Sequence, residues 1–306
     1  MYDVIIIGAG FAGFSAAIYS VRYDLKTLVI GSKIGGAIID SEEVENYPGY
    51  KSISGLDLMK KFEEQAKGLG AEIITDEVAG VVKKGKGFVV KAKSKEFEAK
   101  SIILAQGTER RRLEVPGAEE YKGRGVHYCA TCDAPFYRDK LVGVIGGSNS
   151  AAHAALLLSK FAKRVYIIYR REVMRCEPIL LDEINEKNNI EFIYKTNITE
   201  VKGEKFVNKI ILDNEYKESK ELALDGVFVE IGSIPSSGIA HNLGVKLTEA
   251  KEVIVSPKGE TNVAGVFAAG DVTNTVMRQG ITAAAQGALA AMSAYYFVTG
   301  KAAIGW

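Results

Sequence analysis

The sequence predicts an α/β fold with two Rossmann-like nucleotide-binding units, because a strand, a glycine-rich turn, a helix and a second strand occur in that order twice. In the first unit, residues 4–7 form a continuous β-branched run, typical of a strand covered on both faces. The turn that follows contains Gly8, Gly10 and Gly13, and residues 26–30 form the next strand after a helical segment. In this context the glycines predict a dinucleotide site with the pyrophosphate at the helix N-terminus.

A second unit of the same kind begins at residue 141. Residues 141–145 form a strand, 152–161 a helix and 165–169 the following strand. The intervening turn consists of Gly146, Gly147, Ser148, Asn149, Ser150 and Ala151. Glycine turns also join strands to helices that bind nothing, but two complete units in one chain favour two dinucleotide sites.

The residues after each second strand distinguish the two sites. Gly-Ser-Lys follows the first, without the acidic residue that would hold a ribose hydroxyl. Arg170 and Arg171 follow the second, with Arg175 close behind. Guanidinium groups bind phosphate through two hydrogen bonds and stay charged, so they predict a 2′-phosphate and hence NADP(H). A solvated basic helix start is the alternative interpretation.

Two of the three cysteines lie in the segment Cys129-Ala-Thr-Cys132-Asp133. A pair at this spacing can close a disulfide ring and exchange with other thiols, and Asp133 supplies an acid beside it. A zinc site is the second interpretation, with His127 as third ligand, and a pair of buried apolar thiols is the third. The remaining cysteine and histidines, Cys176 and His153 among them, offer no second paired spacing, so redox chemistry is favoured.

Composition places the chain among ordinary globular proteins. Its 306 residues suit two domains, 47% are apolar, 25% are charged, and the net charge is +1, which does not indicate nucleic acid or an anionic membrane as a partner. The N-terminus lacks a signal-peptide pattern, and residues 283–298 are predicted to form a buried helix rather than a membrane span. We therefore expect a cytoplasmic protein, where a cysteine pair is better explained as catalytic than as structural.

Further strands lie between and after these units. Residues 88–92 and 96–99 alternate like antiparallel strands, and 101–105 form an apolar strand that ends at Gln106 and Gly107. Residues 192–194, 209–212 and 226–231 suggest a similar meander in the second unit. A last apolar strand ends in Gly270 and Asp271, whose carboxylate could accept a hydrogen bond from a cofactor hydroxyl or act as a plain helix N-cap.

These residues match a known family: the chain resembles the low-molecular-weight thioredoxin reductases of bacteria and archaea along essentially its whole length. The matching stretches are Gly8 to Gly13, Gly35-Gly36, Glu-Asn-Tyr-Pro-Gly at 45–49, Gly-Arg-Gly-Val at 123–126, Cys129 to Asp133, Tyr-Arg-Arg at 169–171 with Arg175, and Gly265 to Asp271 followed by Arg278-Gln279.

The resemblance implies two three-layer ββα nucleotide-binding domains, the second inserted into the first. Residues 1–112 and 241–306 would bind FAD, residues 113–240 would bind NADPH and carry the cysteine pair, and the protein would be a homodimer. The FAD residues implied are Gly8, Gly10, Ala12, Gly13, Gly35, Gly36, Ala37, Asn46, Val78, Gly107, Gly270, Asp271, Arg278, Gln279 and Gly280. The NADP residues implied are Gly147, Ser148, Asn149, Ser150, Ala151, Arg170, Arg171 and Arg175.

The resemblance also implies the chemistry of the cysteine pair. Cys132 would lie nearer the flavin, Cys129 would attack the disulfide of thioredoxin or a glutaredoxin-like protein, and Asp133 would protonate the departing thiolate. The chain departs from the family pattern at Ser148, Tyr169 and Gln106. The same architecture fed by a deazaflavin or ferredoxin, or a dithiol oxidase, therefore remains the alternative to an NADPH-dependent reductase.

Overall fold

The computed structural model describes residues 1–41 and 43–302, so the end of the predicted FAD-binding range, 303–306, lies outside the described residues. The strands are β1 (Tyr2–Ile7), β2 (Thr27–Gly31), β3 (Glu72–Thr75), β4 (Val78–Lys84), β5 (Gly87–Ala92), β6 (Glu96–Leu104), β7 (Thr108–Arg110), β8 (Val126–His127), β9 (Leu141–Ile145), β10 (Arg164–Tyr169), β11 (Ile190–Tyr194), β12 (Ile198–Gly203), β13 (Val207–Tyr216), β14 (Ser219–Ala223), β15 (Gly226–Val229), β16 (Ser233–Pro235) and β17 (Val266–Ala268). The helices are α1 (Phe11–Arg22), α2 (Gly55–Gly68), α3 (Ala130–Asp133), α4 (Asn149–Ser159), α5 (Pro178–Asn185), α6 (Gly238–Asn242) and α7 (Gly280–Thr299).

The chain divides into two compact units. Unit 1 consists of Met1–Glu109 and the described residues from Ile234 onward, and unit 2 is Arg110–Ser233. Both borders fall a few residues before the positions that the sequence suggested, 112 and 240.

Unit 1 is built on a mixed sheet whose first strand is covered on both sides. β1 pairs in parallel with β2 on one edge and with β6 on the other. Val4 and Ile6 belong to one buried apolar cluster, and Ile5 and Ile7 belong to another. The continuous β-branched run is therefore explained by burial of both faces, as is usual for parallel strands.

The strand at residues 96–104 differs from the prediction. The sequence suggested two strands, 96–99 and 101–105, but β6 passes through both without a break. Its first part pairs antiparallel with β5, and its second part pairs in parallel with β1 and β17. The residue between the two predicted strands, Lys100, lies within β6, which runs on without a break while its partners change. The next residue, Ser101, is fully buried, and its hydroxyl donates to the carbonyl of Asp3 at 2.8 Å, so the polar group is satisfied inside the sheet.

Unit 2 contains a five-stranded parallel sheet in the order β11, β10, β9, β15, β8 and a separate antiparallel meander of β12, β13 and β14. The predicted meander was wrong in two of its three strands. β11 and β15 pair in parallel with β10 and β9, and only residues 209–212 lie in the meander. Short apolar runs suit either sheet, and the partner strand is distant in sequence, so periodicity alone does not decide between them.

The alanine-rich helix α7 packs on α1. A Cβ at Gly287 would lie 2.1 Å from the carbonyl oxygen of Ala12, so the two helices approach as closely as their backbones allow. Ala283, Ala290 and Ala294 are buried on the same helix. α7 is the one helix in the described part of the chain with the length and mean hydropathy of a membrane span. Its alanine face forms part of a buried cluster of unit 1.

Candidate functional site

The glycine turn after β1 is shaped by close backbone contacts. Gly8 has a positive φ of 113°, and a Cβ there would lie 2.1 Å from the carbonyl oxygen of Ala105. A Cβ at Gly13 would lie 1.9 Å from the carbonyl oxygen of Gly8. Gly8 and Gly13 therefore fit strand, turn and helix together, which is the packing role that such glycines have.

Gly10 has a different environment. It is the N-cap residue of α1, which has no side-chain cap and no acidic residue in its first turn. A Cβ at Gly10 would have only the Cα of Gly36 near it, at 3.9 Å. The amide of Gly35 donates to the carbonyl of Ala9 at 2.8 Å, which places the Gly35-Gly36-Ala37 segment beside this turn. The helix N-terminus thus faces a backbone-lined cradle that fits a pyrophosphate.

Several other predicted FAD residues lie at the start of α7. Asn46 Nδ2 donates to Gln279 Oε1 at 3.2 Å, although the two residues are far apart in sequence. Gln279 is the N-cap residue of α7 and forms a capping box with Thr282, and Gly280 begins the helix. The Arg278 guanidinium pairs with Glu252 at 2.6 Å.

Asp271 lies directly after β17 and Gly270. Burial raises the pKa of its carboxyl, and the Arg278 guanidinium opposes that shift. The alternative that Asp271 caps the following helix is wrong, because α7 begins only at Gly280. A partly buried carboxyl that caps no helix suits a cofactor hydroxyl as partner.

The last predicted FAD positions differ in what they offer. Val78 begins β4 and packs against an apolar cluster of unit 1, and Gly107 follows β6 by three residues. Gln106 directly precedes Gly107, and its buried Oε1 has no hydrogen-bond partner among the described residues. A buried amide oxygen without a partner is costly, so an N–H group of a bound cofactor would satisfy it.

In unit 2 the turn after β9 is held by the segment that carries the arginines. A Cβ at Gly147 would lie 2.5 Å from the ring of Tyr169, so the aromatic side chain at 169 requires glycine at 147. The amide of Arg175 donates to the carbonyl of Gly147 at 2.6 Å. Ser148 is the N-cap residue of α4, but its hydroxyl makes no capping bond. That hydroxyl is therefore available to a phosphate.

The predicted NADP residues are not equivalent. Arg170, Arg171 and Arg175 are exposed, and no described carboxylate lies within ion-pair distance of their guanidinium groups. Asn149, by contrast, is engaged: its side chain donates to Glu177 Oε1 at 3.0 Å and accepts from the Glu177 amide at 2.8 Å. Ala151 is fully buried in the first turn of α4, and Ser150 is exposed. Three unpaired cations beside a helix N-terminus fit the 2′-phosphate and pyrophosphate of NADPH.

The cysteine pair is joined as a disulfide between Cys129 and Cys132. The amide of Cys132 donates to Cys129 Sγ at 3.2 Å, and Cys129 is the N-cap residue of the short helix α3. Cys129 is half-buried, whereas Cys132 is exposed, so in this structure the more open sulfur is the one that the resemblance assigns to the flavin side.

Asp133, the third predicted catalytic residue, is bound to a histidine. Its Oδ2 lies 2.8 Å from His127 Nδ1, and His127 Nε2 lies 2.7 Å from the hydroxyl of Tyr137. The zinc interpretation had made His127 a ligand, but the described residues contain no group of three or more His, Cys, Asp or Glu side chains that could hold a metal. The hydrogen bonds of His127 to Asp133 and Tyr137 are not predicted from the sequence. The one signal for them is that both residues lie within six positions of Asp133.

Two dinucleotide folds and a redox-active disulfide with an adjacent carboxyl define a flavin- and nucleotide-dependent disulfide oxidoreductase. Residues 2–287 match the family described as pyridine nucleotide-disulphide oxidoreductase. The chain belongs to this family, within its low-molecular-weight thioredoxin reductases.

The similarity to individual relatives extends over nearly the whole chain. The thioredoxin reductase of Bacillus subtilis is 40% identical over 301 residues, which are 97% of this chain and 95% of the relative. Among solved structures, the thioredoxin reductase of Lactococcus lactis has a TM-score of 0.94 and 39% identity, covering 98% and 100% of the two chains. That of T. acidophilum has a TM-score of 0.90 and 37% identity, covering 96% and 97% of the two chains. A ferredoxin-flavin thioredoxin reductase of Clostridium acetobutylicum has 31% identity and a TM-score of 0.53, covering 98% and 99%.

Proposed function

We propose that this enzyme is an FAD-dependent thioredoxin reductase that passes electrons from NADPH through the Cys129–Cys132 disulfide to a thioredoxin-like protein. The observation that carries the proposal is that disulfide, with Asp133 next to it, in a chain with two dinucleotide folds. The near-full-length similarity to thioredoxin reductases supports it.

Unit 1 would hold FAD. The N-terminus of α1 at Gly10 would bind the pyrophosphate, Asp271 a cofactor hydroxyl, and Gln106 an N–H of the cofactor. Asn46 and Gln279 are held to each other at 3.2 Å and would contact FAD together. Unit 2 would hold NADPH, with Ser148 and the α4 N-terminus at the pyrophosphate and the three arginines at the 2′-phosphate.

The cofactors, when bound, supply the electron pair that opens the disulfide of the enzyme. Cys129, as a thiolate, then attacks a sulfur of the oxidised thioredoxin, and the first thioredoxin sulfur leaves as a thiolate that takes a proton from Asp133. Cys132 gives up its thiol proton and attacks Cys129 Sγ, the mixed disulfide breaks, and the second thioredoxin sulfur leaves as a thiolate that takes up the proton released by Cys132. Two electrons and two protons pass to thioredoxin, and the Cys129–Cys132 bond forms again.

Anaerobic titration of the oxidised flavoprotein should show reduction of the flavin absorbance by NADPH and much weaker reduction by NADH. The double variant Arg170→Gln/Arg171→Gln should raise the NADPH concentration at half-reduction by about tenfold or more, because charge-assisted bonds to phosphate are lost. The same variant should leave the NADH titration unchanged.

Arg164→Gln is the matched control, because it removes a guanidinium from the other end of β10, where Arg164 pairs with Glu191 at 3.0 Å. It should change neither titration. If neither nucleotide reduces the flavin while dithionite does, the NADPH assignment is lost.

That outcome would favour the second candidate, the same dithiol chemistry fed by a different donor. Ser148 in the place of a glycine and Gln106 next to β6 are the departures that motivate it. One of the similar solved structures is titled a ferredoxin-flavin thioredoxin reductase, which supports this second candidate. Reduction by a photoreduced deazaflavin or by reduced ferredoxin would then be the assay.

We also propose a cytoplasmic homodimer. The cytoplasmic location rests on the cysteine pair, because disulfides in a compartment that keeps thiols reduced are usually transient and catalytic. Ile281, Leu289 and Tyr296 recur at spacings of eight and seven along α7 and are 40%, 38% and 59% exposed. Residues at these spacings share one helix face, and such an apolar face suits a second copy.

Sedimentation should give twice the 33.1 kDa of one chain. Tyr296→Glu should shift the mass towards one chain, because it places a charge in the proposed interface. Val82→Glu, at a position on β4 that is 47% exposed, should not. A single-chain mass for the wild-type protein at micromolar concentration would contradict the dimer.

A further inference from the structure

His127 lies at the centre of a hydrogen-bonded chain of three side chains. Its Nδ1 is 2.8 Å from Asp133 Oδ2, and its Nε2 is 2.7 Å from the Tyr137 hydroxyl. The His127 side chain is only 10% exposed, whereas that of Asp133 is 29% exposed. The chain therefore leads from a buried phenol to a carboxyl that solvent reaches, next to the disulfide.

The imidazole is fixed by aromatic packing as well as by these bonds. His127 and Phe228 are partners on the parallel strands β8 and β15, and their rings stack at 5.2 Å with planes 24° apart. Tyr137 packs edge-on against His127 at 5.3 Å. The Tyr137 ring in turn lies over Gly226, where a Cβ would be 2.5 Å from it. These contacts fix the ring orientation of His127.

The hydrogen bonds also select the tautomer of the imidazole. Burial raises the pKa of Tyr137 to about 12, and the carboxylates of Asp133 and Asp225 act in the same direction, so the phenol keeps its proton at neutral pH. The other charged group against this ring is Lys140, whose ammonium lies 5.3 Å from the centroid. An ionised Asp133 can only accept at Oδ2, so an uncharged imidazole that binds both partners carries its hydrogen on Nδ1 and accepts from the Tyr137 hydroxyl at Nε2.

We propose that His127 is a positioning residue for the proton transfer by Asp133, with Tyr137 fixing the imidazole tautomer. The inference rests on the proposed function of Asp133 as the acid of thiol-disulfide exchange. His127 Nδ1–H binds Oδ2 whether the carboxyl is protonated or ionised, and Oδ1 remains free to carry the proton. A neutral Nδ1–H donor cannot accept that proton, so it leaves through Oδ1 to the departing thioredoxin thiolate.

The test is a single turnover that does not depend on the identity of the electron donor. The flavoprotein is reduced anaerobically with dithionite and mixed with oxidised thioredoxin, and reduced thioredoxin is quantified after alkylation. His127→Phe keeps the ring stack and removes both nitrogens, so it should slow this step by about tenfold or more. His127→Asn loses the stack but keeps an N–H at the place of Nδ1, so it should remain within a few-fold of wild type.

A packing role for His127 predicts the opposite order, with phenylalanine tolerated and asparagine harmful. Tyr137→Phe, which removes only a hydroxyl, should slow the step a few-fold. This variant tests the proposal even if His127→Phe fails to fold, and a wild-type rate would contradict the role of Tyr137. In an Asp133→Asn background, His127→Phe should add no further loss, because its effect passes through Asp133.

Three outcomes would overturn the proposal while leaving the role of Asp133 intact: a wild-type rate in His127→Phe, the reversed order of the two His127 variants, or additive losses in the double variant. A wild-type rate in Asp133→Asn would instead remove the proposed role of Asp133 itself. Flavin reduction by the donor should be unchanged in the His127 and Tyr137 variants, which separates the dithiol step from the cofactor steps.

Discussion

Cys129→Ser is expected to abolish thioredoxin reduction, by a factor on the order of 10³ or more, and to leave reduction of the flavin by its donor intact. In the proposed electron path the disulfide comes after the cofactors and before the partner, so removing either sulfur should interrupt only the last transfer. The measurements are steady-state thioredoxin reduction and an anaerobic flavin titration on the same preparation.

Cys132→Ser is expected to accumulate a mixed disulfide between Cys129 and thioredoxin, because the sulfur that resolves it is absent. The bond that the Cys132 amide donates to Cys129 Sγ would stabilise a thiolate at Cys129, which supports attack by that residue. The greater exposure of Cys132 instead favours Cys132 as the attacking residue. The variant that traps the partner decides between them: a trap only in Cys129→Ser would reverse the assignment.

Cys176→Ser is the control for both variants, since Cys176 is the free cysteine of the described chain and should affect neither assay. Mass spectrometry of a complex trapped from cell extract would also identify the partner, thioredoxin or a glutaredoxin-like protein. Stoichiometric zinc and no flavin colour on purification would contradict the redox function.

Gly13→Ala is expected to destabilise the fold, whereas Gly10→Ala is expected to weaken FAD binding without destabilising the fold, although both glycines belong to one motif. At Gly13 a Cβ meets the carbonyl oxygen of Gly8 at 1.9 Å, so the apoprotein should lose about 3 kcal/mol or more in free energy of unfolding. At Gly10 the nearest protein atom would be 3.9 Å away, and the backbone φ is −95°. Alanine there should leave the apoprotein stability within about 0.5 kcal/mol of wild type.

The Gly10 variant should nevertheless bind FAD about tenfold or more weakly, because its methyl group occupies the cradle where the pyrophosphate approaches the backbone. Thermal unfolding of the apoproteins and calorimetric titration with FAD measure the two effects separately. Gly68→Ala, at the open end of α2 with no atom within 4 Å, should change neither. Unchanged FAD affinity in Gly10→Ala would remove the FAD site from this turn.

The sequence predicted an element correctly where the residue pattern and the element lie in the same short segment. Strand, turn and helix at β1, α1 and β9, α4 follow from periodicity and glycine spacing, and the two-residue spacing of the cysteine pair favours the disulfide over a zinc site or buried thiols. The sequence pattern predicts two strands at β6, because alternation ends at Ala99 and a continuous apolar run follows Lys100; this change of pattern reflects a change of partner from β5 to β1 and β17 within one strand. β11 and β15 were misplaced because the strands beside them are distant in sequence.

The sequence by itself determined the two nucleotide-binding folds, the cysteine pair and the carboxyl beside it, since each depends on residues within one turn or one strand. Tertiary structure decided which of these residues remain free. It engages Asn149 with Glu177, leaves Gln106 Oε1 without a partner among the described residues, and joins Asp133 to His127, which in turn binds Tyr137. Those contacts depend on strand pairing and ring packing between separate segments, which no local pattern encodes.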